Sequence, residues 1–154
     1  MALFIVQHGI SASKDVDPER GLTEIGREET NRIALVAKEY KIPVQKIVHS
    51  GKKRAEQTAA IYHETLALET PMQMISGINP MDDVQNFATS IVPQENRMVV
   101  GHMPFMERLV SFLTTGTENI RVYQFQNSGI VCLDVEGDKE ADWFIKWTLN
   151  PNIF

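Results

Sequence analysis

Leu3-Phe4-Ile5-Val6 is an unbroken apolar run that stops at Gln7-His8-Gly9. A strand with one wet face would alternate, so an unbroken run implies a strand covered on both faces, inside a layered α/β sheet. In open sheets of that kind ligands bind at the carboxyl ends of the strands. A histidine there can serve as nucleophile, base or metal ligand. Taken alone, the stretch reads as a polar turn that closes a strand, and the rest of the chain has to supply His8 with partners.

The order of elements is consistent with a layered sheet. Ser11 to Gly21 is polar and reads as a loop, and Thr23 is a plausible N-cap for a helix. Ile33, Val36, Ala37 and Tyr40 form its apolar face, and Pro43 places its end near Lys41. A strand over 44–50 leads through Ser50-Gly51 into a helix with the face Ala55, Thr58, Ala59, Tyr62 and Leu66. A third strand is expected over 72–76, a short helix over 82–91, and a fourth strand at Met98-Val99-Val100 ending at Gly101-His102. The helix over 104–114 has a wide apolar stripe of Phe105, Met106, Leu109, Val110, Phe112 and Leu113. A strand over 129–135, a turn at Gly137-Asp138 and a strand over 143–149 close the chain, the last alternating Trp143, Ile145 and Trp147 with Phe144 and Lys146. Strands separated by helices imply right-handed crossovers. The expected fold is an α/β three-layer sandwich with a mostly parallel central sheet and helices on both faces. The closing pair would supply an antiparallel edge.

The 154 residues suit one domain spanning 1–154. A net charge of -5 speaks against nucleic acid or an anionic membrane as partner. The single cysteine, Cys132, allows no intrachain disulfide. With no basic, apolar leader at the start, a cytoplasmic location is expected.

Three chain positions could handle an anion at one end of such a sheet. His8 follows the first strand, Arg54 lies in the first turn of the helix after the second, and His102 follows the fourth; Arg20 lies in the loop before the first helix. Lys52, Lys53 and Arg54 crowd a helix start, where cations oppose the dipole at about 0.3–1 kcal/mol each. A bound anion would reverse that penalty. For the two lysines a solvated surface role is the simpler reading.

Val6-Gln7-His8-Gly9, Arg20-Gly21-Leu22-Thr23, Ser50 followed by Arg54-Ala55-Glu56-Gln57-Thr58-Ala59, and Val100-Gly101-His102-Met103-Pro104 occur in this order. With these blocks the chain resembles the histidine phosphatase (phosphoglycerate-mutase-like) superfamily, and within it the small SixA-type phosphohistidine phosphatases. The resemblance implies that His8 is the phosphoryl-accepting nucleophile, that His102 is the second catalytic histidine, and that Arg20 and Arg54, with Gln7, bind phosphate. It implies hydrolysis through a phosphohistidine intermediate with no metal or other cofactor. The phosphorylated partner would be a phosphohistidine-bearing protein of the histidine phosphotransfer type, which belongs to signal transduction, or a small phosphorylated substrate. The chemistry agrees, since a neutral imidazole attacks and the charge on the transferring group needs fixed positive partners.

Three positions depart from the family pattern. Gln7 stands where arginine usually precedes His-Gly, Ile10 where an acidic residue often follows, and Gly21 where proline is usual. Glutamine donates hydrogen bonds but lacks charge and the bidentate fork, so reduced turnover is expected. Two other functions are compatible with these residues: a phosphomonoesterase acting on a small metabolite, and a silent phosphoryl-binding protein. Asp83 is the candidate general acid, although a phosphohistidine needs one less than an ester does, because imidazole itself takes a proton near pH 6.5. His49, His63, Cys132, Trp143 and Trp147 read as structural, and no metal-ligand spacing is present.

Overall fold

The computed structural model describes residues 1–137 and 142–153. Its strands are β1 (Ala2–Gln7), β2 (Lys46–His49), β3 (Gln73–Met74), β4 (Arg97–Gly101), β5 (Ile130–Val135) and β6 (Trp143–Leu149). Its helices are α1 (Glu24–Glu39), α2 (Lys53–Thr65), α3 (Val84–Ala88) and α4 (Phe105–Thr115). The strands form a single sheet in the order β3-β2-β4-β1-β5-β6. Neighbours from β3 through β1 are parallel, and β5 runs antiparallel to both β1 and β6. Asp138, half of the expected turn, lies outside the described residues.

The run in β1 is apolar because the strand is central. Leu3 and Ile5 enter a core with Phe87 of α3 and Phe105, Met106, Leu109 and Val110 of α4. Phe4 and Val6 enter the opposite core, with Ile33, Ala34 and Ala37 of α1 and Ala55, Ala59 and Tyr62 of α2. All four β1 side chains are fully buried, each contributing about 1.5–3 kcal/mol. The result is the three-layer sandwich, with the parallel strands delivering their carboxyl ends to one edge of the sheet. No helix among the described residues is long and apolar enough to cross a membrane.

The structure corrects several local expectations. Tyr40 lies outside the core at 78 % exposed, and Ala34 takes the buried position on α1, because the helix ends at Glu39 and Tyr40 becomes its C-cap. β3 is only two exposed residues at the sheet edge, with no layer covering it. α3 is shorter than 82–91, because Asp82 turns back to accept a hydrogen bond from Asn79 N while Asp83 caps the helix. Phe112 and Leu113 are only partly buried. In β6 the alternation conceals a change of face. Leu133 pairs with Ile145 but Cys132 with Trp147, so Lys146 is an extra, bulged residue. Trp143 and Ile145 therefore pack on the α3/α4 side, and Trp147 and Leu149 on the α1/α2 side.

Candidate active site

The register of the sheet builds the centre of the site. Gln7 pairs with Gly101 across the parallel strands β1 and β4, so His8 and His102 leave the sheet side by side. Their ring centroids are 5.1 Å apart and inclined at 53°. His8 N donates to Gly101 O at 3.0 Å, and its carbonyl accepts from Asn127 Nδ2 at 2.8 Å. The His8 ring is oriented as well. Nδ1 lies 2.7 Å from Gly9 O, and a carbonyl can only accept, so Nδ1 carries the proton and Nε2 keeps its lone pair.

The Arg54-Ala-Glu-Gln-Thr block is one turn of α2 that ties the surrounding loops to this pair. Ala55 faces the core. Gln57 Oε1 accepts from Leu22 N at 2.7 Å, fastening the loop that carries Arg20. Thr58 Oγ1 accepts from Gly9 N at 2.9 Å, fastening the turn that carries His8, and donates to Arg54 O at 2.8 Å. Gly9 is required by this packing. A Cβ there would meet Thr30 Oγ1, Ser128 Oγ and Leu22 Cδ2 at 2.9–3.1 Å.

The loop from Ser11 to Leu22 closes on itself. Ala12 N donates to Gly21 O at 2.9 Å and Gly21 N to Asp17 Oδ2 at 2.8 Å. Arg20 is held at φ 54, in the left-handed region, with its Nε donating to Ala12 O at 3.3 Å. Such a conformation costs roughly 1–2 kcal/mol in a residue with a Cβ, offset here by the hydrogen bonds of the loop. Lys53 pairs with Asp17 and Glu19 at its exposed position, as a surface lysine should.

The electrostatics of the site are those of an anion pocket. Burial, opposed by the Gly9 hydrogen bond and assisted by Arg54 and Arg20, lowers the His8 pKa to about 4. Near pH 7 the His8 ring is therefore held in its neutral form. Burial, followed by His8, Arg54, Lys52 and Arg20, lowers His102 to about 3. Arg54 is pushed below its usual value by burial and by Arg20. Two polar atoms here are buried without a partner among the described residues, Arg54 Nε and His102 Nδ1. Buried donors are rarely left unpaired without a functional reason. A set of neutral imidazoles among crowded guanidinium groups, with buried polar atoms unsatisfied, can bind a phosphoryl group and accept it on Nε2 of His8.

The full sequence is 27 % identical over 149 residues to the phosphohistidine phosphatase SixA of Escherichia coli K12, covering 93 % of this chain and 92 % of that protein. The chain is similar to SixA along nearly its whole length. A solved structure of the protein histidine phosphatase SixA complexed with tungstate superposes with a TM-score of 0.82 at 24 % identity, covering 98 % of this chain and 97 % of the other. A phosphoserine phosphatase mutant from Entamoeba histolytica shares the fold at a TM-score of 0.71 and 14 % identity, covering 96 % of this chain and 95 % of the other. The chain therefore shares the fold of these phosphatases, and fold alone does not select a substrate. No family model matches the sequence.

His8 and His102 thus lie side by side at one edge, where the charges of Arg54 and Arg20 act on both rings, with Gln7 directly before His8 at the end of β1. Asp83 is occupied otherwise, its Oδ1 accepting from Gln85 N and Asn86 N as the N-cap of α3. Neither Asn127 nor Ser128 belongs to a sequence motif, yet both tie the catalytic turn. Ser128 N donates to Gln7 O, its hydroxyl shares a hydrogen bond with Thr30, and its carbonyl accepts from Tyr62 Oη. The only hint was the turn-forming composition of Gln126-Asn127-Ser128-Gly129 just before β5. Asn127 also lines a cleft of about 590 Å³, together with Ile10, Glu29, Gln124, Phe125, Gln126 and Asn152. His49 and Cys132 are buried structural residues, and burial pushes the thiol up to about 12. His63 bonds to Thr70 O.

Proposed function

We propose that the protein is a phosphatase that removes the phosphoryl group from a phosphohistidine-bearing protein through a covalent intermediate on His8. The observation that carries this reading is the orientation of His8, with Nδ1–H held by Gly9 O and the ring kept neutral beside two arginines. In the first step Nε2 bonds to phosphorus as the substrate N–P bond breaks, and the departing imidazole takes a proton from solvent water. In the second, water attacks the phosphorus, the His8 N–P bond breaks, and inorganic phosphate leaves with His8 neutral again. Arg20, Arg54 and His102 are disposed to hold the equatorial oxygens, where charge builds up in the transition state.

Homology to a phosphohistidine phosphatase supports the substrate class. The position of Asp83 supports it too. This carboxylate is committed to a helix N-terminus, and among the described residues no hydrogen bond links it to the histidine pair. An N–P bond tolerates that better than an ester, since its leaving imidazole is protonated near neutrality and an alkoxide is not. The test compares phosphate release from a phosphorylated histidine phosphotransfer domain with release from alkyl phosphate monoesters. Faster release from the phosphohistidine donor is expected. Faster cleavage of the esters would overturn the substrate assignment.

A further inference from the structure

We propose that Ser50 is a positioning residue that holds neutral His102 as the tautomer protonated on Nδ1, so that this buried N–H is the donor offered to the phosphoryl group. The inference rests on the phosphoryl-transfer reading of the site. Ser50 directly follows β2 and His102 directly follows β4, two adjacent parallel strands in which His49 is in register with Val100. That register brings Ser50 Oγ to 2.6 Å from His102 Nε2. Lys52 N makes a long contact of 3.4 Å to the same hydroxyl oxygen, which leaves the hydroxyl proton free to be donated to Nε2.

The other ring nitrogen decides the direction of that bond. His102 is 2 % exposed, and its Nδ1 is buried with no partner among the described residues. Phosphoryl oxygens accept hydrogen bonds, so a ring nitrogen that meets one must carry a proton. A neutral imidazole has one N–H to offer, and which nitrogen bears it is set by the hydrogen bond at the other. Burial and the surrounding positive charge disfavour a second ring proton, so a wrong tautomer could not be rescued by protonation. Ser50, donating to Nε2, selects the useful form.

The test uses imidazole nitrogen NMR on the ¹⁵N-labelled full chain, with His102 assigned from a His102→Gln variant. In the wild type Nδ1 should be protonated and Nε2 bare, and tungstate should shift the Nδ1–H signal. Ser50→Ala should populate the Nε2–H tautomer and lower kcat by about 10- to 100-fold, less than the loss of a direct oxyanion donor. KM should change little, since the effect lies in the transition state. Ser50→Thr, which keeps the hydroxyl, should restore both tautomer and rate. A wild-type proton on Nε2, or a Ser50→Ala protein with unchanged tautomer and kcat, would overturn the proposal. If the expected tautomer and tungstate shift are found but no phosphorylated donor is turned over, the tautomer assignment stands and the phosphatase reading fails.

Discussion

Thr58→Val removes one hydroxyl and keeps the shape of the side chain, which makes it a direct probe of how α2 holds the catalytic turn. Thr58 is fully buried, and its Oγ1 accepts from Gly9 N at 2.9 Å. Valine leaves no cavity, and its helix propensity is close to that of threonine. The hydroxyl also donates to Arg54 O, but that carbonyl keeps its helical partner, so losing the second bond costs little. The main cost is the Gly9 N–H, left buried and unpaired, at about 1–3 kcal/mol. In a chain of this size each kcal/mol lowers Tm by about 2–4 °C. Urea unfolding followed by the fluorescence of Trp143 and Trp147 measures the loss. Phosphate release should fall by about 10-fold or more, because the released turn carries His8 and a displacement of about 1 Å is costly. Thr58→Ser keeps both hydrogen bonds and deletes a methyl worth about 0.8 kcal/mol, so it should lose stability but little turnover. A valine variant as stable and as active as the wild type would refute the argument.

Gln7→Arg restores a fixed charge next to His8 and should raise kcat/KM by about 10-fold, less than a whole oxyanion donor is worth because glutamine already donates hydrogen bonds; an unchanged rate would remove charge from the explanation of this position. Gly26→Ala should destabilise the protein by about 1–3 kcal/mol in thermal melts, since the new Cβ would lie 2.2 Å from the Ile10 carbonyl oxygen, a backbone atom with little freedom to move. The folded-state pKa values of His8 and His102, about 4 and about 3, lie below the ordinary 6.5. Their contribution to stability is therefore complete above pH 6.5 and is lost as the unfolded chain takes up protons between pH 6.5 and about 3. NMR titration should find both rings neutral at pH 5, and a midpoint near 6.5 for either ring would contradict the burial argument.

The parts of the fold that were legible in the sequence are those governed by burial on both faces or along one helix stripe. The β1 run, the α2 face and the boundaries of β6 follow from where apolar side chains must go, and all three occur as expected. The bulge at Lys146 was not legible, because a one-residue insertion leaves the alternating pattern intact while exchanging the faces. Tyr40 failed for a different reason. Its spacing fits the α1 stripe, but the helix ends at Glu39 and the C-cap residue extends past the layer the helix packs on. In the site, His8, Arg20, Arg54 and His102 could be named because short motifs carry them. The tasks of Gln57, Thr58, Ser50 and Asn127 depend on contacts across 35 to 119 residues of sequence, which only the folded arrangement creates.

The central claim is a covalent bond between phosphorus and Nε2 of His8, and rapid quenching with a ³²P-labelled phosphohistidine donor tests it most directly. Label should appear on the wild-type chain as acid-labile, base-stable phosphate, map to the peptide containing His8, and be absent from His8→Ala. Label on His8→Ala at the wild-type level, or wild-type turnover with no label at any quench time under conditions where hydrolysis of the intermediate limits the rate, would contradict the account.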